Sequence, residues 1–122
     1  MELQIISIVD DDSSVRAATD NLLSSYGYAV YTFSSAEDFL ASDCVGKTKC
    51  LILDVAMPGM SGPELQRELA HQGPNIPIVF ITAHSSGSFR PRLMKEGAID
   101  CLFKPFTDTA LLKALDAAFQ VE

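Results

Sequence analysis

The strongest constraint on the fold is a rhythm that repeats along the 122 residues: a short apolar run rich in β-branched residues, a turn, and then an amphipathic segment. Strands that alternate with helices form parallel sheets, because a parallel connection must cross over the sheet. Several of these runs are apolar at every position, which is typical of strands covered on both faces. The predicted strands occupy residues 3–9, 28–33, 50–55, 76–82 and 99–103.

The segments between these runs predict the helices. The first covers about residues 14–26 and stops at Gly27. Its expected inner face carries Val15, Ala18, Leu22 and Tyr26. Two capping-box patterns, Ser34-x-x-Glu37 and Ser61-x-x-Glu64, predict the next helix starts, and the last helix begins near Asp108.

The fourth helix is expected to be short or irregular. Residues 85–91 combine poor helix formers with a proline, which is tolerated only in a first turn. A helix that begins around Pro91 would extend only to about Glu96, because Gly97 ends it. Five such strand–helix units in 122 residues leave room for a single domain.

Charge and composition exclude several classes of function. Nine Lys and Arg against 16 Asp and Glu give a formal net charge of −7, which repels nucleic acids and anionic lipid surfaces. No apolar stretch approaches the roughly 20 residues of a membrane span, and residues 1–4 show no secretory signal, so a cytoplasmic location is expected. Cys44, Cys50 and Cys101 lack a metal-binding or disulfide pattern and are expected to be reduced, packed thiols.

Acidic residues follow two of the predicted strands. Asp10, Asp11 and Asp12 come directly after the first, and Asp54 lies at the end of the third. Ligands of open parallel sheets bind at the carboxyl ends of the strands, so we expect these acids to converge there. Clustered carboxylates repel one another, and a hard divalent cation relieves that repulsion. Mg²⁺ is the expected ion, with Mn²⁺ as the alternative.

Other interpretations of these acids are open. Asp12 is better explained as a helix N-cap, and Asp10 and Asp11 taken alone fit a turn as well as they fit a metal site. A calcium-binding loop is the other metal interpretation. It fails at Val15, where glycine is required, and at Asn21, where glutamate is required.

Thr82 and Lys104 end the fourth and fifth apolar runs and are expected at the same edge of the sheet as the acids. Each alone is an ordinary strand-end residue. Together, a hydroxyl and an ammonium group can compensate the charge of a phosphoryl group. Every strand but the second would then deliver a polar group to one crevice.

The whole chain resembles the receiver domain of bacterial two-component response regulators, and its spacing is similar to that of the FixJ branch. The motifs that carry the resemblance are IVDDD at 8–12, FSSAEDFL at 33–40, LDVAMPGMSG at 53–62, ITAH at 81–84 and KPF at 104–106. The resemblance implies a flavodoxin-like, doubly wound sheet of five parallel strands, (βα)₅. It also implies one receiver domain over residues 1–122, with no DNA-binding domain in this chain.

The resemblance further implies a role for each residue of the crevice. Asp54 would take a phosphoryl group from the phosphohistidine of a sensor histidine kinase. Asp10, Asp11, Asp54 and the carbonyl of Ala56 would hold Mg²⁺, while Thr82 and Lys104 would bind the phosphoryl oxygens. The Lys104–Pro105 peptide would be cis. The expected output is transcription control through an effector DNA-binding domain, and a phosphorylation-dependent homodimer is left open.

Three features depart from the family pattern, and they concern how the domain signals after phosphorylation. Cys101 stands where relatives have the Tyr or Phe that changes rotamer on activation. Pro91 and the Ser/Gly-rich residues 85–88 alter the fourth helix. Ala56 and His84 occupy positions that tune the loss of the phosphoryl group, and His84→Ala is expected to change that rate.

Three other functions compete with this interpretation. A flavin- or nucleotide-binding module needs a phosphate cradle after the first strand, where this chain has three acids. A phosphatase of the haloacid dehalogenase type needs a second acid two residues after the nucleophile, where this chain has Ala56. A phosphorylation-independent interaction domain would keep the fold without the chemistry, and the complete set of crevice residues argues against it.

Overall fold

A computed structural model of the chain describes residues 4–83 and 89–120. In this part of the chain the strands form one parallel sheet in the order β2-β1-β3-β4-β5. The strands are β1 (Ile5–Val9), β2 (Ala29–Phe33), β3 (Cys50–Asp54), β4 (Ile78–Thr82) and β5 (Asp100–Phe103). The prediction of a five-stranded parallel sheet is confirmed, and the strand order reverses between β1 and β3, at the two strands that carry the acids.

The helices alternate with the strands as the sequence rhythm predicts. They are α1 (Ser13–Ser25), α2 (Ala36–Ala41), α3 (Gly62–Gln72), α4 (Arg90–Lys95) and α5 (Asp108–Phe119). Among the residues that the structure describes, no helix combines the length and the apolar character needed to cross a membrane.

The core has two layers, one on each face of the sheet. Successive side chains of a strand point to opposite faces, so Leu53 packs in one layer and Ile52 in the other. The first layer includes Phe39 and Leu65 of α2 and α3, and the second includes Leu111 of α5. Covering both faces explains why the central strands are apolar throughout.

The inner face of α1 differs from the predicted one. Its buried residues are Thr19 and Leu23, whereas Ala18 is exposed and the side chain of Tyr26 is 60% exposed. The helix ends at Ser25 and the chain turns at Gly27, whose φ is +91°, so Tyr26 lies beyond the regular helix. Small Ala18 and Thr19 are adjacent, and the apolar pattern alone did not distinguish which of them faces the sheet.

Of the three helix caps predicted from the sequence, two are confirmed and one is wrong. The Asp12 carboxylate caps α1 by accepting from the backbone N–H groups of Ser14 and Val15, at 2.9 and 3.2 Å. The Ser61–Glu64 capping box is complete. The cap of α2, however, is Ser35 rather than Ser34, because the Ser35 hydroxyl accepts from Asp38 N at 3.0 Å.

Helix α4 is short, as predicted. It has six residues, carries Pro91 in its first turn and buries Leu93. Gly97, with φ of +105°, lies just after its C-cap. His84 and residues 85–88, whose effects on the output were expected from the sequence, lie outside the described residues.

The three cysteines are buried free thiols, and their burial confirms the expectation that they are packed. Burial raises the pKa of the Cys50 thiol to about 12. A thiol with such a pKa stays protonated and unreactive near neutral pH.

Candidate functional site

Three carboxylates meet at the carboxyl edge of the sheet. Asp10 follows β1 and is fully buried, Asp54 is the last residue of β3 and is 5% exposed, and Asp11 is exposed beside them. One oxygen from each lies within 4.8 Å of the others. The structure therefore brings the predicted acids of the first and third strands together, since both strands are parallel and adjacent.

Asp10 is held in place by the backbone of Asp12 and by Arg16 of α1. Its Oδ1 accepts from Asp12 N at 2.9 Å, and its carbonyl oxygen accepts from Arg16 Nη1 at 2.7 Å. Its Oδ2 lies 2.9 Å from Lys104 Nζ and forms an ion pair with that ammonium group. A carboxylate oxygen has two lone pairs, so Asp10 Oδ2 can bind a further ligand beside Lys104.

Lys104 and Thr82 lie at the same edge. Thr82 ends β4 and is fully buried, and Lys104 follows β5 directly. The backbone N–H of Lys104 donates to the carbonyl of Thr82 at 2.7 Å. Lys104 Nζ is also 3.6 Å from Asp54 Oδ1, so one ammonium group lies between two buried acids. The Lys104–Pro105 peptide is cis, as the family resemblance implied.

The electrostatics of the site oppose the ionisation of Asp54. Burial first, and then the neighbouring charge of Asp10, raise the pKa of Asp54 to about 7, although Lys104 pulls in the opposite direction. Burial lowers the pKa of Lys104, but its contacts with Asp10 and Asp54 outweigh this and leave that pKa raised. A single ammonium therefore does not neutralise the three acids.

The donor set fits a hard divalent cation. Carboxylate oxygens are the ligands that such ions prefer, and a bound cation would favour the ionised form of a carboxyl whose pKa is otherwise raised. The buried Asp10 Oδ2 is paired with Lys104 and has a second lone pair that could bind the same cation. Ala56, the fourth expected ligand, is exposed between buried Val55 and Met57 in the loop after Asp54. The acid cluster could accordingly hold a metal.

A sequence profile of the response regulator receiver domain matches residues 6–116 of this chain. The chain belongs to that family. This confirms the resemblance noted from the sequence and makes the chain a receiver domain of two-component response regulators. Domains of this family interact with sensor kinases and effector domains.

Individual relatives include a nodulation protein and a transcriptional regulatory protein. The receiver domain is 46% identical over 114 residues to nodulation protein W of Bradyrhizobium diazoefficiens, covering 93% of this chain and 50% of that protein. It is 40% identical over 113 residues to the transcriptional regulatory protein FixJ of Rhizobium meliloti, covering 93% and 55% respectively. The chain thus spans about half the length of these relatives.

Solved structures support the same assignment. The crystal structure of FixJ-N is similar with a TM-score of 0.88 and 37% identity, covering 100% of this chain and 98% of that one. The similarity to the FixJ branch that the spacing indicated is therefore present in sequence and in fold.

Two contacts at the site were not predicted from the sequence. Arg16 of α1 reaches the carbonyl of Asp10, and Glu37 of α2 reaches the backbone of Met60, in the loop that follows Asp54. Arg16 carried no recognised pattern, and Glu37 was assigned to a capping box. The only signal for Glu37 was that both Ser34 and Ser35 have an acid three residues later, so one of the two acids was free for another role.

Proposed function

We propose that this receiver domain accepts a phosphoryl group on Asp54 from the phosphohistidine of a sensor histidine kinase, in a reaction that requires Mg²⁺. The observation that carries the proposal is the arrangement around Asp54, in which one nucleophilic carboxylate has two acids and one ammonium group as neighbours. Mn²⁺ would serve in place of Mg²⁺, because it takes the same oxygen ligands.

Each residue has a role in this proposal. Asp10, Asp11, Asp54 and the Ala56 carbonyl would hold the cation, which supplies positive charge to the transferring phosphoryl group when it is bound. An Asp54 carboxylate oxygen attacks phosphorus, the bond from phosphorus to the imidazole nitrogen of the donor breaks, and that nitrogen keeps the electron pair. Lys104 and the Thr82 hydroxyl compensate the negative charge of the phosphoryl oxygens, because positioning and charge dominate such transfers.

The kinase must reach Asp54 from the surface around this edge. A groove of about 430 Å³ adjoins Lys104 and is lined mainly by apolar side chains of α1 and of the segment after β5. Its lining includes Val15, Leu22, Pro105 and Phe106. An apolar groove beside the reacting group suits the helical surface of a protein that presents a histidine, and we assign the kinase to it.

The output is proposed from the relatives. The relatives are about twice as long as this chain, and one of them is a transcriptional regulatory protein. We therefore infer an effector DNA-binding domain in the full-length protein, a cytoplasmic location and a homodimer that forms on phosphorylation. Direct nucleic-acid binding by residues 1–122 is not expected at a net charge of −7. A phosphorylation-independent interaction domain is not favoured, because the crevice keeps every chemical group that the reaction needs.

Metal-dependent phosphorylation tests the proposal. Incubation of the wild type with acetyl phosphate and Mg²⁺ is expected to add one phosphoryl group to the intact mass, and EDTA is expected to prevent the addition. The reason is that without a cation the acids around Asp54 repel an incoming phosphoryl group. A folded wild type that gains no phosphoryl mass, or gains it equally in EDTA, would contradict the proposed reaction.

A further inference from the structure

Glu37 connects α2 to the loop that follows Asp54. Its Oε2 accepts a hydrogen bond from Met60 N at 2.9 Å, between residues 23 positions apart. The preceding residue, Gly59, has φ of +74°, and a Cβ added there would lie 2.6 Å from the same oxygen. Glycine at position 59 therefore permits the backbone conformation and leaves room for the carboxylate.

The two ends of this loop are fixed by the sheet and by α3. Val55 N donates to the Ile81 carbonyl at 3.0 Å, and Gly62 N donates to the Val55 carbonyl at 2.9 Å. Gly62 packs so closely on Asp54 that an added Cβ would collide with the Asp54 carbonyl oxygen. The loop therefore begins directly after Asp54 and ends at Gly62, which packs against the Asp54 backbone.

The middle of the loop has less support. Pro58 and Gly59 are exposed, and Met60 is half-buried. Within the described chain, the Glu37 contact is the one side-chain hydrogen bond that reaches residues 56–60 from another element. The shape of the exposed half of the loop thus depends on a carboxylate from α2.

We propose that Glu37 is a positioning residue that holds the loop in the shape at which Ala56 completes the cation site. The inference rests on the proposed function, because it assumes that the cation binds at Asp54. Ala56 lies between buried Val55 and Met57 on one side of the loop, and Glu37 fixes the other side. Without that contact, residues 58–60 would sample more conformations and the Ala56 carbonyl would be presented to the cation less often.

Three variants separate this role from a general effect of charge. Glu37→Ala removes the contact, whereas Glu37→Gln keeps a side-chain oxygen that can accept from Met60 N. Asp38→Ala is the matched control, because Asp38 lies in the same first turn with the same charge and its carboxylate accepts a hydrogen bond from the Ser34 hydroxyl, at 3.3 Å. The readouts are amide hydrogen exchange at Met60 without metal, Mg²⁺ affinity by calorimetry, and the phosphorylation rate by acetyl phosphate across Mg²⁺ concentrations.

Glu37→Ala is expected to speed exchange at Met60 and to weaken Mg²⁺ affinity about three- to tenfold, which lies within the range for the loss of one ordinary intramolecular hydrogen bond. The rate at saturating Mg²⁺ should stay near the wild-type value, since Asp54 and Lys104 are untouched. Glu37→Gln should recover most of the affinity, and Asp38→Ala should match the wild type. Equal Mg²⁺ affinity in Glu37→Ala and Asp38→Ala would overturn this inference alone. A wild type that binds no Mg²⁺ would overturn the proposed function, and this inference with it.

Discussion

Asp54→Asn is expected to be phosphorylated by acetyl phosphate at least about 100-fold more slowly than the wild type. An amide oxygen is a poor nucleophile, and the substitution also removes one of the three carboxylates of the cation site. The measurement is the intact mass of both proteins after incubation with Mg²⁺ and acetyl phosphate, followed over time.

Asp12→Asn is the matched control for that experiment. Asp12 lies beside Asp10 and Asp11 in sequence, but its carboxylate caps α1. Asparagine caps a helix about as well as aspartate, so this variant should be phosphorylated at nearly the wild-type rate. An Asp54→Asn protein that still gains a phosphoryl group at the wild-type rate would contradict the assignment of the acceptor.

Asp54→Asn is also expected to be more stable than the wild type when metal is absent. The folded-state pKa of Asp54 is raised from an ordinary value of 3.8 to about 7, chiefly by burial and by Asp10. Between pH 3.8 and about pH 7, the folded protein therefore keeps a proton on Asp54 that the unfolded chain has lost. The free energy of unfolding of the wild type consequently falls as pH rises through that window and levels off above about pH 7.

The amide side chain of the variant has no proton to lose, so the free energy of unfolding of the variant lacks this decrease. The difference in that free energy between variant and wild type should grow from about pH 4 to about pH 7 and then stay constant. The pKa difference sets an upper bound of about 4 kcal/mol, and relaxation around the site reduces the expected gain to about 1–3 kcal/mol. Urea unfolding in EDTA across this pH range measures it. Added Mg²⁺ should stabilise the wild type by binding the folded state and should narrow the gap. A variant less stable than the wild type above pH 7 would contradict the account of the acid cluster.

Most of the fold could be predicted because the sheet is parallel and buried. Strands covered on both faces must be apolar at nearly every position, which makes β3 and β4 conspicuous in the sequence. Local chemistry also identified the cap at Asp12, the capping box at Ser61 and the early end of α4 before Gly97. These features depend on residues a few positions apart.

The errors arose where the sequence allowed two neighbouring solutions. Ser34 and Ser35 each precede an acid by three residues; in the structure Ser35 caps the helix, and Glu37 binds the backbone of Met60. On α1, an inner face that includes Ala18 and one that includes Thr19 differ by a single helical position. The cap of α2 and the inner face of α1 depend on tertiary contacts, and a local sequence pattern carries no information about such contacts.

The positions of the site residues followed from topology. Asp10, Asp54, Thr82 and Lys104 end or follow parallel strands, and such ends share one edge of a sheet. The supporting contacts of Arg16 and Glu37 could not be predicted, since they depend on how α1 and α2 pack against distant loops. The sequence thus located the polar residues that meet at this edge of the sheet but did not identify the residues that hold them in place.

The most direct measurement is the location of the phosphoryl group in the wild type. Borohydride reduces an aspartyl phosphate to homoserine, which survives digestion and can be placed by tandem mass spectrometry. We expect homoserine at position 54 in protein treated with Mg²⁺ and acetyl phosphate, and aspartate there when EDTA is present. Homoserine at Asp10 or Asp11, or a phosphoryl group on a hydroxyl or imidazole side chain with Asp54 unchanged, would contradict Asp54 as the acceptor.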